Sequence, residues 1–282
     1  MKKKNKPKKN NNQRKQEKNR AGQTAPKKTI KQKRNYENVK KIIARIIKII
    51  AIIAFIVAIA IFFFTSPVFN IKTIEVKGNN KVSTEEIIKL SQIETNQNIY
   101  KVSKNAVKDN IKENAYIENV QVYRMLPDKI EIEVKERTAS FMIQINGKYA
   151  YINNQGYILE INSENIFLPI IAGYATLVDN IIPGNRLEQE DLIKLETVLT
   201  IMESANSNQM SELITTIDIS NPKNYTLTLN NEEKTVYLGD ASNISTRMHY
   251  LKGILQNEKG NPGEVFIDGN LTTQKVYFRE KI

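Results

Sequence analysis

Ser220-Asn221-Pro222-Lys223 has the S-x-x-K spacing of a serine nucleophile with a lysine beside it. In penicillin-binding enzymes that pair works together with an S-x-N segment and a K-T-G segment further along the chain. Here Ser163-Glu164-Asn165 precedes the serine, and Lys234-Thr235-Val236 lacks the glycine that lets substrate approach the strand. The pair also lies in an S-N-P-K-N turn, where an activated lysine would want a helix. Other candidates are sparse. His249 is the sole histidine and reads as a half-buried or surface side chain beside an apolar helix face. Asp218 and Asp268 form no carboxylate pair of defined spacing, and Glu131, Glu133, Lys135 and Glu136 read as the wet face of a strand. There is no G-x-x-x-x-G-K segment and no glycine-rich phosphate cradle. The absence of cysteine removes disulfides, lipoprotein anchoring and thiolate metal sites. The expectation is therefore no catalytic set, no cofactor and no metal, which leaves binding.

The charge is divided. Residues 1–48 hold 19 Lys/Arg against Glu17 and Glu37, so they carry about +17 of a net +12, and the remainder is about −5. A basic total would suit nucleic acid, but the folding part is mildly acidic, so no nucleic-acid partner is expected. Residues 1–40 are rich in Lys, Asn and Gln and nearly free of apolar side chains, which predicts a disordered tail. Ile49–Phe64 then runs without a polar side chain. Extended back to Ile42, a helix of this length spans about 34 Å, against the ~30 Å of a bilayer core. A transmembrane helix is expected over 41–67, uncleaved, with Lys40, Lys41, Arg45 and Lys48 flanking it and able to reach lipid headgroups. Seventeen Lys/Arg precede Ile42 and none lies between Ile49 and Ile71. The positive-inside rule then puts the tail in the cytoplasm and the rest outside.

Residues 68–137 read as strand, helix, helix, strand, strand. Phe69 and Ile71 are out of phase with Ile74 and Val76, which predicts a bulge or a lead-in before the strand. Ser83 with Glu86 forms a capping box, and Val82 with Ile87 a staple. Ser103 starts a second helix whose face is Val107, Ile111 and Ala115. Val120 and Val122, a turn at Leu126–Asp128, and Ile130, Ile132 and Val134 make a hairpin with one apolar face. Residues 138–282 read as a meander (141–161), a helix around Leu192–Met202, three short strands, a helix around Ile244–Leu255 and two closing strand pieces. No long tail is expected after the last strand.

The fold class is thus α+β: a disordered basic tail (1–40), one transmembrane helix (41–67), a β-α-α-β-β domain (68–137), and a mixed antiparallel β-domain with two helices (138–282). The pattern F-x-I-x-x-I-x-V-x-G-N at 69–79, Val82-Ser83, and the 120–137 stretch containing Val122, Arg124, Pro127, Glu136 and Arg137 resemble the FtsQ/DivIB family of bacterial cell-division proteins, whose first outer domain is a POTRA domain. Y-x-x-x-x-G-Y-I-L (151–159), L-P-x-I-x-G (168–173), V-Y-L-G (236–239) and F-I-D (266–268) resemble the family's β-domain. Thr138 and Asn153 stand where the family often has a proline and an acidic residue.

The resemblance implies a non-enzymatic divisome scaffold at the septum that links early and late division proteins and helps control septal peptidoglycan synthesis. It implies FtsB/DivIC-like and FtsL-like single-pass partners, bound by the last strand, here about Leu271–Glu280, with Val276 and Phe278 on one face and Tyr277 and Arg279 on the other. The POTRA edge would be Val120, Val122 and Arg124. Open strand edges accept a partner strand. The alternative is a POTRA-bearing envelope-assembly or polypeptide-transport component.

Overall fold

The computed structural model describes residues 27–281, with side chains from Tyr36 onward. They fall into two compact units, one ending at Thr65 and one beginning at Ser66. The first is a single helix, α1 (Lys27–Thr65). Its stretch Tyr36–Thr65 is long and apolar enough to cross a membrane, and its side chains are exposed throughout. β-branched residues are poor helix formers in water. In a medium that offers no hydrogen bonds, a helix is the single-segment way to satisfy the backbone. The helix starts at Lys27, upstream of the expected boundary at 41. Lys, Gln, Arg and Glu are good helix formers, and elongation from an existing helix avoids the cost of nucleation. The rest of the predicted disordered tail, residues 1–26, lies outside the described residues. Thr65 closes the helix with a bond from Oγ1 to the Ile61 carbonyl (2.7 Å), and Pro67 follows in a short 3-10 turn.

The second unit opens with β1 (Thr73–Lys77), preceded by a lead-in rather than a bulge. Ile71 of the lead-in is fully buried, and its N–H donates to the Gln97 carbonyl. Then come α2 (Thr84–Ser91), α3 (Lys104–Lys112), β2 (Ile117–Met125) and β3 (Lys129–Glu136). Ser83 caps α2 by accepting from the Glu86 N–H (3.1 Å), and Ser103 caps α3 by accepting from Ala106 (3.4 Å). The box at Ser83 is one-sided, because the Glu86 carboxylate accepts from Asn114. Ala115 lies beyond the end of α3, so Val107 and Ile111 alone carry that helix's buried face. The sheet order is β1-β3-β2, with β1 and β3 parallel and β2 and β3 antiparallel. The helices cover one face, and Ile87, Ile111, Val120, Ile130 and Ile132 share the core between them. The other face carries the ion pairs Lys77–Glu131 (2.7 Å) and Lys129–Glu75.

The β-domain follows as β4 (Phe141–Ile145), β5 (Lys148–Ile152), β6 (Ile158–Asn162), β7 (Ile170–Ala172), α4 (Gln189–Ser207), β8 (Thr216–Asp218), β9 (Tyr225–Leu229), β10 (Lys234–Gly239), α5 (Ile244–Asn257), β11 (Gly263–Phe266) and β12 (Tyr277–Glu280). Among the described residues these strands make one sheet, ordered β12-β11-β10-β9-β8-β7-β4-β5-β6. The β4-β5-β6 meander is antiparallel, whereas β7-β8 and β10-β11 are parallel, with α4 and α5 as their crossovers. Asn153 turns β5 into β6 by accepting from the N–H groups of Gln155 and Tyr157. That is turn chemistry a neutral amide performs.

Gly78 leaves β1 at φ +82°, and a Cβ there would stand 2.2 Å from the Val134 carbonyl oxygen. Gly78→Ala therefore meets both backbone strain and a backbone clash. We expect a loss of at least about 2 kcal/mol, read as a lower unfolding midpoint, while alanine at the open Gly253 on α5 has little effect.

Candidate functional site

Among the described residues, β12 ends the nine-stranded sheet and pairs with β11 alone. It is shorter than the expected Leu271–Glu280. Asn270 and Gln274 close a turn through two reciprocal bonds, Gln274 N–H to the Asn270 carbonyl and Asn270 N–H to the Gln274 side chain (both 2.7 Å). Leu271 and Val276 are thus loop residues, half-buried against the core and lining a cleft of about 520 Å³ beside the strand. Phe278 faces inward, and its ring lies across Gly263, where a Cβ would stand 2.6 Å from it. Below the ring, the Lys234 ammonium is fully buried, 3.2 Å from the Glu232 carbonyl and 5.9 Å from the ring centroid.

The opposite face carries an aromatic ladder. The rings of Tyr237, Phe266 and Tyr277 stack at 4.8 and 4.7 Å across β10, β11 and β12. Arg279 lies over Phe266 (5.0 Å), and its Nε donates to Glu264 (2.8 Å), which also accepts from the Tyr237 hydroxyl (3.1 Å). The Arg279 hydrogen bond, joined by its charge, holds the Glu264 carboxyl below the usual carboxylate range, and the same contact raises the Arg279 guanidinium. The Tyr237 phenol is pushed up, first by its bond to Glu264 and then by burial. The backbone alternation is set by Lys281, whose N–H donates to the Pro262 carbonyl (2.9 Å). In an antiparallel pair, bonded and non-bonded partners alternate. Tyr277 and Arg279 therefore turn their backbone groups toward β11, while Phe278 and Glu280 present theirs to the outer edge.

β2 is likewise an edge, of the smaller sheet. Its expected contact side chains are engaged elsewhere. Val120 and Val122 are core residues, and Arg124 donates from Nε to the Ile99 carbonyl (3.0 Å) and from Nη2 to Val102 (2.7 Å). A strand with one buried face turns its apolar members inward, so only the β2 backbone edge and residues such as Asn119 and Tyr123 face solvent. Lys40, Lys41, Arg45 and Lys48 are all exposed on α1. Ser220 and Lys223 lie in a turn ordered by Asp218 and Asn221, and His249 is exposed on α5. Among the described residues, no cluster of His, Asp and Glu could hold a metal.

The junction between the two domains of the second unit went unread in the sequence. The Tyr116 hydroxyl donates to Glu160 (2.8 Å), and Lys81 lies 3.4 Å from the same carboxylate. Arg137 donates to the Ala115 and Ile117 carbonyls, and its guanidinium lies 4.2 Å from the Tyr157 ring centroid, with that of Arg186 5.6 Å away. Burial and the Glu160 bond push the Tyr116 phenol far up. Burial also draws Glu160 upward, but the bonds from Tyr116 and Asn162 and the Lys81 charge outweigh it and leave the carboxyl below its usual value.

Two family profiles match this architecture. Residues 69–137 match "POTRA domain, FtsQ-type", and residues 141–269 match "Cell division protein FtsQ/DivIB, C-terminal". The chain is 32% identical over 194 residues to the cell division protein DivIB of Clostridium tetani, covering 68% of this chain and 72% of that one. The chain belongs to the FtsQ/DivIB family. A Clostridium botulinum DivIB is 28% identical over 257 residues (89% of this chain, 96% of the relative), and an FtsQ of Syntrophotalea carbinolica is 30% identical over 112 residues (39% of each). As an FtsQ/DivIB protein the chain functions in cell division alongside other division proteins. Its family is non-catalytic, and the sequence resemblance and the POTRA domain are both upheld.

Glu160 is the titratable link of the junction. Because its folded pKa lies below the ordinary value of 4.5, it adds stability above that pH, which is lost as pH falls through the folded value. Glu160→Gln should therefore unfold below wild type at neutral pH, and the gap between their melting temperatures should close as pH drops below about 4.5.

Proposed function

We propose that this FtsQ/DivIB protein is a non-enzymatic divisome scaffold that recruits single-pass division proteins of the FtsB/DivIC and FtsL types. The observation that carries the reading is the β12 edge, a terminal strand whose outward backbone groups at Phe278 and Glu280 stand beside the Tyr277 and Arg279 side chains. A partner strand laid there gains main-chain bonds, and Tyr and Arg are frequent anchors at interfaces. Leu271 and Val276 support the strand from beneath. The backbone edge of β2 along Val120–Arg124 serves as a second docking edge.

α1 crosses the membrane once, with Lys40, Lys41, Arg45 and Lys48 at its cytoplasmic side and the two domains outside, at the septum. Anchoring partners in one bilayer raises their effective concentration at the edge. Through these contacts the protein helps control septal peptidoglycan synthesis, without a cofactor and without binding nucleic acid.

Glu280→Pro tests the edge. Proline removes an outward N–H that β11 does not use, and edge strands tolerate it. The variant should keep the wild-type melting temperature, lose co-purification of the DivIC-like partner and fail to concentrate at midcell as a fluorescent fusion. Full partner recovery with Glu280→Pro would rule out strand addition at β12.

A further inference from the structure

One end of the POTRA domain collects apolar side chains that the core does not use. Val68, Met125 and Leu126 are 57%, 46% and 56% exposed. Pro127 beside them is exposed as well. Hydrogen bonds tie these positions to a single end of the sheet. The Ile99 N–H donates to the Phe69 carbonyl (2.8 Å), and the Ile99 carbonyl accepts from Arg124, the residue before Met125. Asp128, two residues after Leu126, accepts from the Lys72 N–H (2.8 Å) through its carbonyl and pairs with the Lys72 ammonium through its carboxylate. β1 starts at this end, while Tyr116 and Arg137, which meet the β-domain, mark the other.

Only Ser66, Pro67 and Val68 lie between the last residue of α1 and Phe69. The four Cα steps from Thr65 to Phe69 reach about 14 Å at full extension. If α1 spans the bilayer, as the proposed function holds, Phe69 is confined to that distance from the helix end. We propose that this end of the POTRA domain rests on the lipid surface, with Val68, Met125 and Leu126 placed among the headgroups and upper acyl chains. Small apolar groups gain from burial at that boundary. Two of the lysines at this end are already neutralised, Lys72 by Asp128 and Lys129 by Glu75. Zwitterionic phosphatidylcholine should therefore suffice. The most exposed aromatic of the β-domain, Phe167 at 93%, lies on the loop between β6 and β7, beyond the far end of the POTRA sheet, and stays in water.

The chain contains no cysteine, so each introduced one is a unique label site. Full-length protein would be reconstituted into phosphatidylcholine vesicles with an environment-sensitive fluorophore at Leu126→Cys, Val68→Cys, Phe167→Cys or Phe55→Cys. Each sample would be compared with and without nitroxide-bearing lipid. We expect blue-shifted emission, and loss of emission to nitroxide, at positions 126 and 68 as well as at 55 in the helix, with aqueous, unquenched emission at 167. Quenching at 55 but not at 126 or 68 overturns the lipid contact while leaving the anchor intact. A blue shift at 126 without nitroxide quenching overturns it in favour of a protein covering the tip. Quenching at 167 equal to that at 126 shows unselective adhesion and also overturns it. No quenching at 55 removes the anchor itself and this inference with it.

Discussion

β1 and β3 lie side by side in the same direction, and a parallel pair cannot be closed by a tight turn. The intervening chain must return to the starting end before β3 begins, and α2, α3 and β2 make that return. Two consequences follow from the pairing. The helices are laid on one face of the sheet, which creates the core around Ile87, Ile111, Ile130 and Ile132. The chain also arrives at one end of the domain and departs from the other, so the POTRA domain separates its incoming segment from the β-domain by the full length of β3. Glu136, at the departing end of β3, accepts from the N–H groups of Lys81 and Val82 and so fixes the start of α2 from the same place.

The two ends of the larger sheet are treated differently. At β6, the 184–186 segment bonds to Ile158 on the outer side, and Glu160 is engaged by Tyr116 and Lys81 of the POTRA domain. At β12, the flank is made of exposed and half-buried side chains with no strand beyond it among the described residues. Unpaired edges are ordinarily shielded because they invite association. A sheet that closes one edge with its own chain and leaves the other bare has one direction in which to grow.

Much of the fold was legible because it is written in local chemistry. Ser83 and Ser103 announce their helices through side-chain caps that need no tertiary context, and Ile130, Ile132 and Val134 state the strand period outright. The shared face of Tyr277 and Arg279 was legible in alternation, whereas the choice of the last strand as an edge came from the family resemblance. What stayed hidden depends on distant partners. Asn270 and Gln274 shorten the last strand by bonding each other, which alternation cannot foresee. Arg124 reads as an interface anchor in isolation, yet it satisfies two carbonyls more than twenty residues away in the chain. The Tyr116–Glu160 link joins residues 44 apart, and no spacing rule reaches that far. The start of α1 at Lys27 shows a different failure, since composition alone ignores the advantage of extending a helix that already exists.

Lys234 is buried beneath Phe278, and Phe278 can lie there because Gly263 has no side chain. Stripping β12 from the sheet would leave the groove over Gly263 empty, so swapping the native strand for a foreign one forfeits that packing unless the newcomer brings an equivalent ring. The arrangement favours an annex over a replacement. A segment added at the outer edge would leave the packing of Phe278 over Gly263 in place.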